Sequence, residues 1–119
     1  MTPRKLVQSW VAAFNCQDSD GLASMYAADA VNHQVAESPV QGREGIREMF
    51  VHGFASAKMV CTVENIFEEG SWAILEWRDP LGLRGCGFFN IENDQIKFQR
   101  GYWDKLSFLR QQGLPLPRE

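Results

Sequence analysis

Apolar residues recur at helical spacing in the first half of the chain. Thr2 and Pro3 are a typical N-cap and first helical residue, so a first helix is expected to begin there. Its apolar stripe consists of Leu6, Val7, Trp10, Val11 and Phe14. A short second helix is expected from Asp18 or Ser19, with the inward residues Leu22, Met25 and Tyr26. A third is expected from Arg43 to about Ala57, with the stripe Ile46, Met49, Phe50 and Phe54.

The apolar period changes to two in the second half, which is typical of strands. Strands are predicted over 59–67, 72–78, 84–92 and 95–104, and a shorter one over 29–35 precedes the third helix. A closing helix is predicted over 105–112, with Gly113 as its C-cap and an extended tail after it. Helices followed by hairpins predict an α+β fold in which a curved mixed sheet wraps three N-terminal helices and leaves a cone for a ligand.

Three segments carry a resemblance to a known superfamily: Tyr26–His33, Gly42–Arg47, and Ile96–Asp104 with its Tyr-Trp-Asp ending. In this order and spacing they resemble the nuclear-transport-factor-2-like (NTF2-like) superfamily, in its SnoaL-like polyketide cyclase and ketosteroid-isomerase-like branch. The resemblance implies a single SnoaL-like domain over 1–119, shaped as a conical barrel with a deep apolar pocket and a short C-terminal helix. It also implies a homodimer through the outer sheet face. It implies no single activity, because this fold hosts isomerases, cyclases, hydrolases, dehydratases and binding modules.

Charge and cysteine content exclude several classes. The chain has 12 basic and 15 acidic residues, and the basic residues are scattered, so we expect no nucleic-acid partner. Its apolar runs are only a few residues long, so we expect no membrane span. Three cysteines without CxxC spacing and two distant histidines predict neither disulfides nor a metal site, and we expect a cytoplasmic protein without a cofactor.

Asp104 is the first candidate for proton transfer. Strict alternation along the last strand places Ile96, Phe98, Arg100 and Tyr102 on the pocket side, with Asp104 at the end of that row. An apolar surrounding would raise the pKa of the carboxyl group, which suits a general acid or base. The resemblance implies the same role at this motif position. The alternative is that Asp104 caps the closing helix.

Asp79 is the second candidate carboxylate. The segment Glu76–Asp79 resembles the Glu-Arg-x-Asp stretch of limonene-type epoxide hydrolases, in which an Arg stands between two catalytic Asp residues. Trp77 occupies the Arg position here, and Arg78 is expected on the opposite face of the strand. The hydrolase water site is therefore expected to be degraded, and the alternative for Asp79 is a turn residue before Pro80.

The short first strand offers polar side chains. Asn32 and Gln34 stand where the hydrolase branch has a Tyr and an Asn that position water. A ketosteroid isomerase would have an Asp near Gln34, and none is present. His33 could polarise a carbonyl group or could hydrogen-bond the following loop. His52 is expected to be solvated.

The helical stripes and strand faces predict the residues that contact a ligand. With the inward polar residues, they are Trp10, Phe14, Tyr26, Asn32, Gln34, Met49, Phe50, Phe54, Trp77, Phe89, Arg100 and Tyr102. Two functions remain open. One is a cofactor-independent enzyme of isomerase, cyclase or hydrolase type that acts on a small apolar carbonyl compound through Asp acid/base catalysis. The other is a module that binds a small hydrophobic ligand without turnover.

Overall fold

A computed structural model describes residues 1–117 of the chain; residues 118 and 119 of the predicted domain lie outside that part. Its ten elements are α1 (Pro3–Asn15), α2 (Ser19–Ser24), β1 (Tyr26–Gln34), β2 (Val40–Gln41), α3 (Arg43–Ser56), β3 (Thr62–Glu69), β4 (Trp72–Arg78), β5 (Arg84–Glu92), β6 (Gln95–Trp103) and α4 (Lys105–Gln112). The predicted order of helices and strands is confirmed, and β4, β5 and α4 have the predicted bounds.

Local signals set the helix ends. The side chain of Thr2 accepts a hydrogen bond from the Lys5 amide, and that of Asp18 accepts one from Gly21, so both act as N-caps. Gly113 ends α4 in the left-handed conformation at φ 66°, which glycine adopts without a steric penalty.

The six strands form one curved, unclosed sheet in the order β2-β1-β6-β5-β4-β3. Strands β1 and β6 run parallel, and every other neighbouring pair is antiparallel. The main hydrophobic cluster joins α1, α2 and α3 to the concave face of the sheet. Its fully buried residues include Val7, Leu22, Ile46, Leu75, Phe89 and Ile96. The predicted α+β fold with a sheet curved over the N-terminal helices is therefore confirmed.

The bounds of three strands differ from the prediction: β1 covers Tyr26–Gln34 instead of 29–35, β3 covers Thr62–Glu69 instead of 59–67, and β6 ends at Trp103 instead of 104. Strand β1 begins at Tyr26 rather than Asp29, because Tyr26 pairs with Ile96 of β6. Strand β3 begins at Thr62 rather than Met59. A short strand, β2, also lies in the predicted loop, where Val40 pairs with Asn32. These pairings join segments far apart in sequence, which periodicity alone does not reveal.

The predicted faces of β6 are wrong beyond Ile96. Ile91 of β5 pairs with Ile96, but the preceding Asn90 pairs with Phe98, so Lys97 is an extra residue in β6. Such a bulge interrupts the alternation of faces. Ile96 lies in the core as predicted, whereas Phe98 falls on the convex face and Gln99 on the concave one.

Candidate ligand-binding site

A cavity of about 410 Å³ lies between the concave face of the sheet and the helices α1 and α3. Its wall is mostly apolar. Nine of the residues proposed from the sequence line it: Trp10, Phe14, Asn32, Gln34, Met49, Phe50, Trp77, Asp79 and Phe89. A volume of this size suits a ligand comparable to a small drug molecule.

Aromatic rings of α1, α3 and β5 pack around the inner end of the cavity. Trp10 stacks on Phe14 at a centroid distance of 5.1 Å and meets Phe89 edge to face at 5.3 Å. Phe54 lies behind this wall rather than in it, because its ring packs edge to face against Phe14 at 5.3 Å. These contacts hold the apolar wall in one arrangement.

Several residues that line the cavity were not predicted from the sequence. They include Leu75, Gln99, Gly101, Trp103, Phe108 and Leu114. Strict alternation puts Gln99, Gly101 and Trp103 on the outer face, opposite Phe98 and Arg100, because it makes no allowance for the bulge at Lys97. Phe108 lies on α4 and Leu114 follows that helix, and no periodicity tells whether a terminal segment folds back over a cavity.

Helix α4 covers one side of the cavity without burying any of its own residues completely. The Phe108 ring meets Trp103 edge to face at 5.5 Å. The side-chain amide of Gln111 donates to the Leu81 carbonyl at 3.1 Å, and that of Gln112 donates to the Lys58 carbonyl at 3.0 Å. These contacts attach α4 to the two loops that flank the cavity.

Tyr26 is fully buried beneath the cavity rather than lining it. The indole N–H of Trp10 donates to the Tyr26 hydroxyl at 3.0 Å, and that hydroxyl donates to Oε1 of Gln99. Nδ2 of Asn32 also donates to Oε1 of Gln99, at 3.1 Å. Two donors therefore converge on one oxygen atom of Gln99.

The same hydrogen-bond chain continues along β1 toward α4. Nε2 of Gln34 donates to Oδ1 of Asn32 at 2.8 Å. The indole N–H of Trp103 donates to Oε1 of Gln34 at 2.9 Å. The Gln34 side chain lies directly over Gly101, where a Cβ atom would collide with its amide group. We call Trp10, Tyr26, Gln99, Asn32, Gln34 and Trp103 the amide chain.

The amide chain is uncharged. Complete burial raises the pKa of the Tyr26 hydroxyl far above its ordinary value of 10.0. The other members are amides and indoles, which do not ionise near neutral pH. Cys61, which also lines the cavity, has its pKa raised by burial to about 12. These groups therefore offer hydrogen bonds but no mobile charge at neutral pH.

Asp79 lines the cavity, but its carboxylate holds the loop between β4 and β5. Oδ1 accepts hydrogen bonds from the backbone amides of Leu81 and Leu83, both at 2.9 Å. Asp79 therefore has the turn role that was the alternative prediction for it. Oδ2 has no hydrogen-bond partner within residues 1–117. Trp77 lines the cavity beside it, and its indole ring lies across Gly85 of the neighbouring strand.

Asp104 does not lie in the cavity, contrary to the prediction. It is exposed and directly precedes α4, where the hydroxyl of Ser107 donates a hydrogen bond to its carboxylate. That bond holds the pKa of Asp104 below its ordinary value of 3.8. The predicted apolar surrounding, which would have raised the pKa, is absent because β6 ends at Trp103 and the chain turns outward.

The remaining predicted site residues lie on the convex face of the sheet. Arg100 packs over the ring of Phe88, with its Cζ atom 5.1 Å from the ring centroid. Tyr102 is 41% exposed on the same face. His33 pairs with Arg100 across the β1–β6 ladder and does not line the cavity. These three residues do not contribute to the cavity, because of the bulge in β6 and the alternation of β1.

Within residues 1–117, no three His, Cys, Asp or Glu side chains are grouped as metal ligands would be. No helix in that part of the chain is long and apolar enough to span a bilayer. His52 is exposed on α3 and faces Glu48 at 3.8 Å, as expected for a solvated residue.

Residues 7–99 match the family profile described as a SnoaL-like domain. A comparison with proteins of curated function gives no match. Many solved structures, in contrast, share the fold.

One of these is a protein with a ketosteroid isomerase-like fold from Catenulispora acidiphila, solved in complex with trimethylamine. It is 21% identical with a TM-score of 0.83, over 97% of this chain and 96% of that one. A putative polyketide cyclase from Sinorhizobium meliloti is 20% identical with a TM-score of 0.76, over 82% of this chain and 94% of that one. An LEH-like epoxide hydrolase from M. tuberculosis is 19% identical with a TM-score of 0.76, over 91% of this chain and 86% of that one. At these identities the likeness shows the fold alone.

Proposed function

The chain belongs to the SnoaL-like domain family, and from that fold we propose that its function is to bind a small, uncharged and mostly apolar molecule. The observation that carries the proposal is the cavity of about 410 Å³, whose apolar wall surrounds polar groups that are all neutral at its inner end. An anionic ligand would lose its hydration there without gaining a counter-charge. An apolar ligand that buries about 200 Å² of its surface gains roughly 5 kcal/mol from the transfer.

Equilibrium dialysis with two naphthalenes of similar size tests this proposal. We expect saturable binding of 2-acetylnaphthalene and at least tenfold weaker binding of the 2-naphthoate anion, because burial of its carboxylate is not compensated. Met49→Trp is expected to fill the cavity and abolish binding, whereas Val51→Trp, at an exposed position of the same helix, should bind normally. Equal binding by both variants, or no binding of either compound, would refute the proposal.

A second candidate function is acid/base turnover of a carbonyl compound, and one observation favours it. Asp79 lines the cavity, and Oδ2 of its carboxylate is not used by the loop that Oδ1 holds. Asp79→Asn keeps the oxygen that accepts the loop hydrogen bonds and removes the ionisable group. If the protein only binds its ligand, the ligand should be recovered chemically unchanged from both the parent protein and Asp79→Asn. Turnover by the parent protein that is lost in Asp79→Asn would establish the enzyme instead.

We also propose that a second copy of the chain covers the convex face of the sheet. Phe67 and Tyr102 are 53% and 41% exposed there, and Nε of Arg100 has no hydrogen-bond partner within residues 1–117. An aromatic face of this kind, left uncovered by the helices, is typical of an interface between identical subunits. Light scattering at micromolar concentration should give the mass of a dimer, and Phe67→Lys should shift it to a monomer. A monomeric parent protein would refute this.

A further inference from the structure

The orientations of the side-chain amides follow from the two indoles at the ends of the amide chain. An indole N–H donates hydrogen bonds and cannot accept them. The atom of Gln34 that faces Trp103 must therefore be its oxygen, which leaves its nitrogen to face Asn32. The Asn32 atom that receives that nitrogen must in turn be an oxygen, at 2.8 Å. Each assignment fixes the next.

The assignment ends at Gln99. Because the oxygen of Asn32 is engaged by Gln34, its nitrogen faces Gln99 and requires an acceptor there, which is Oε1. The other branch gives the same answer, since Trp10 donates to the Tyr26 hydroxyl and that hydroxyl then donates to Oε1. Nε2 of Gln99 is the terminal amide nitrogen left over.

Nε2 of Gln99 has no acceptor of its own. Within residues 1–117 no group accepts a hydrogen bond from it, although the Gln99 residue is only 4% exposed. Among the described residues, the fully buried polar side-chain atoms without a partner belong to Arg100 and Gln111, so Nε2 of Gln99 is not sealed inside the protein. The open space that Gln99 borders is the cavity. An amide nitrogen with two hydrogens therefore meets the cavity at the inner end of its apolar wall.

We propose that Nε2 of Gln99 determines ligand specificity by donating a hydrogen bond to an acceptor oxygen of the ligand, such as that of a ketone or an ether. The inference rests on the proposed binding function and adds a chemical requirement to it. A ligand of the same shape without an acceptor leaves this buried donor unpaired, which costs free energy. One neutral hydrogen bond of this kind corresponds to a preference of about tenfold.

A pair of matched ligands tests the inference. In 2-isopropenylnaphthalene a CH₂ group replaces the ketone oxygen of 2-acetylnaphthalene, with nearly the same shape. Equilibrium dialysis of the parent protein should give about tenfold tighter binding of the ketone. In Gln99→Met, which keeps the length of the side chain and removes the amide, the ratio of the two affinities should fall to about one. Gln8→Met, at an exposed position of α1, is the control and should keep the parent ratio.

The ratio is insensitive to a general loss of folded protein, since both ligands compete for the same molecules. If Gln99→Met does not fold, Gln99→Glu measured at pH 9 replaces it, because Oε1 is retained and the donor becomes an acceptor. That variant should bind the hydrocarbon at least as well as the ketone. Equal binding of the two compounds by the parent protein overturns the role of Gln99 and leaves the binding function intact. Binding of neither compound overturns both.

Discussion

The two faces of β6 satisfy their polar side chains in different ways. On the concave face, Gln99 and Trp103 are held by hydrogen bonds whose donors and acceptors are each assigned. On the convex face, Arg100 lies over the rings of Trp72 and Phe88, with its Cζ atom 5.5 and 5.1 Å from their centroids. Hydrogen bonds fix direction, whereas a cation above a ring tolerates rotation. The concave face is therefore the one that can distinguish the chemistry of a ligand.

Replacing Asn32, at the centre of the amide chain, should have the largest effect on stability. Asn32 is fully buried and joins Gln34 to Gln99. We expect Asn32→Leu to lower the free energy of unfolding by roughly 2–4 kcal/mol, because it leaves buried polar groups without partners. Urea unfolding measures this. The control Asn65→Leu, at an exposed position of β3, should cost less than about 1 kcal/mol, and equal losses would contradict the comparison.

Displacing Gln34, another member of the amide chain, should have an intermediate effect on stability. A Cβ atom at Gly101 would collide with the Gln34 amide, so Gly101→Ala is expected to cost about 1–3 kcal/mol and to weaken ligand binding. Gly87, its partner on β5, is the matched control. A Cβ atom there would meet the Phe89 ring at 3.3 Å, which a small shift accommodates. Thermal unfolding and dialysis of the two variants should separate them, and identical behaviour would argue against a rigid Gln34.

Weakening the convex face should have a smaller effect. Arg100→Lys keeps the positive charge but loses the planar group that lies over the aromatic rings. We expect a loss of about 0.5–1 kcal/mol in stability, measured by urea unfolding, and no change in ligand affinity. A variant that binds ligand more weakly would show that the two faces of β6 are not independent.

The smallest effect is expected at the end of β6, where Asp104 belongs to neither face. Its pKa is lowered by the Ser107 hydroxyl, so its contribution to stability is present above the unfolded-state pKa and is lost as the pH falls through the lower folded value. The small difference in melting temperature between the parent protein and Asp104→Asn should therefore disappear from about pH 4 downward. A difference that grows toward acid would contradict this assignment.

Local signals in the sequence were sufficient for most of the fold. Thr2, Pro3 and Gly113 marked helix ends correctly because capping depends only on neighbouring residues. The faces of β6 were not predictable in the same way. The bulge at Lys97 arises from pairing with β5, and Lys97 itself forms an ion pair with Asp29 of β1, 68 residues away. Alternation cannot detect an insertion that only the neighbouring strands define.

The candidate site was predictable to a similar extent. The aromatic wall of the cavity was predicted from the apolar stripes of the helices. A stripe residue such as Phe50 faces the protein interior whichever element its helix packs against. Asn32 and Gln34 were expected in the pocket from their shared face of the first strand, and both line the cavity because β1 has no bulge between them. Gln99 was missed because the inserted residue Lys97 exchanges the faces of the strand. Strict alternation, which ignores that insertion, had placed Arg100 in the pocket instead of Gln99.

The indoles at both ends of the amide chain also determine how protons can move through it. A hydrogen-bonded wire relays a proton only when each member can receive one on one side, release one on the other, and then reverse. The indoles of Trp10 and Trp103 donate hydrogen bonds and never accept them, so the donor-to-acceptor order is fixed at each end of the amide chain. From both ends that order leads to Gln99. Protons therefore have no route along these six residues between the cavity and the outside. Any proton that a bound molecule gains or loses must be exchanged with solvent or with Asp79, the carboxylate that lines the cavity outside the amide chain.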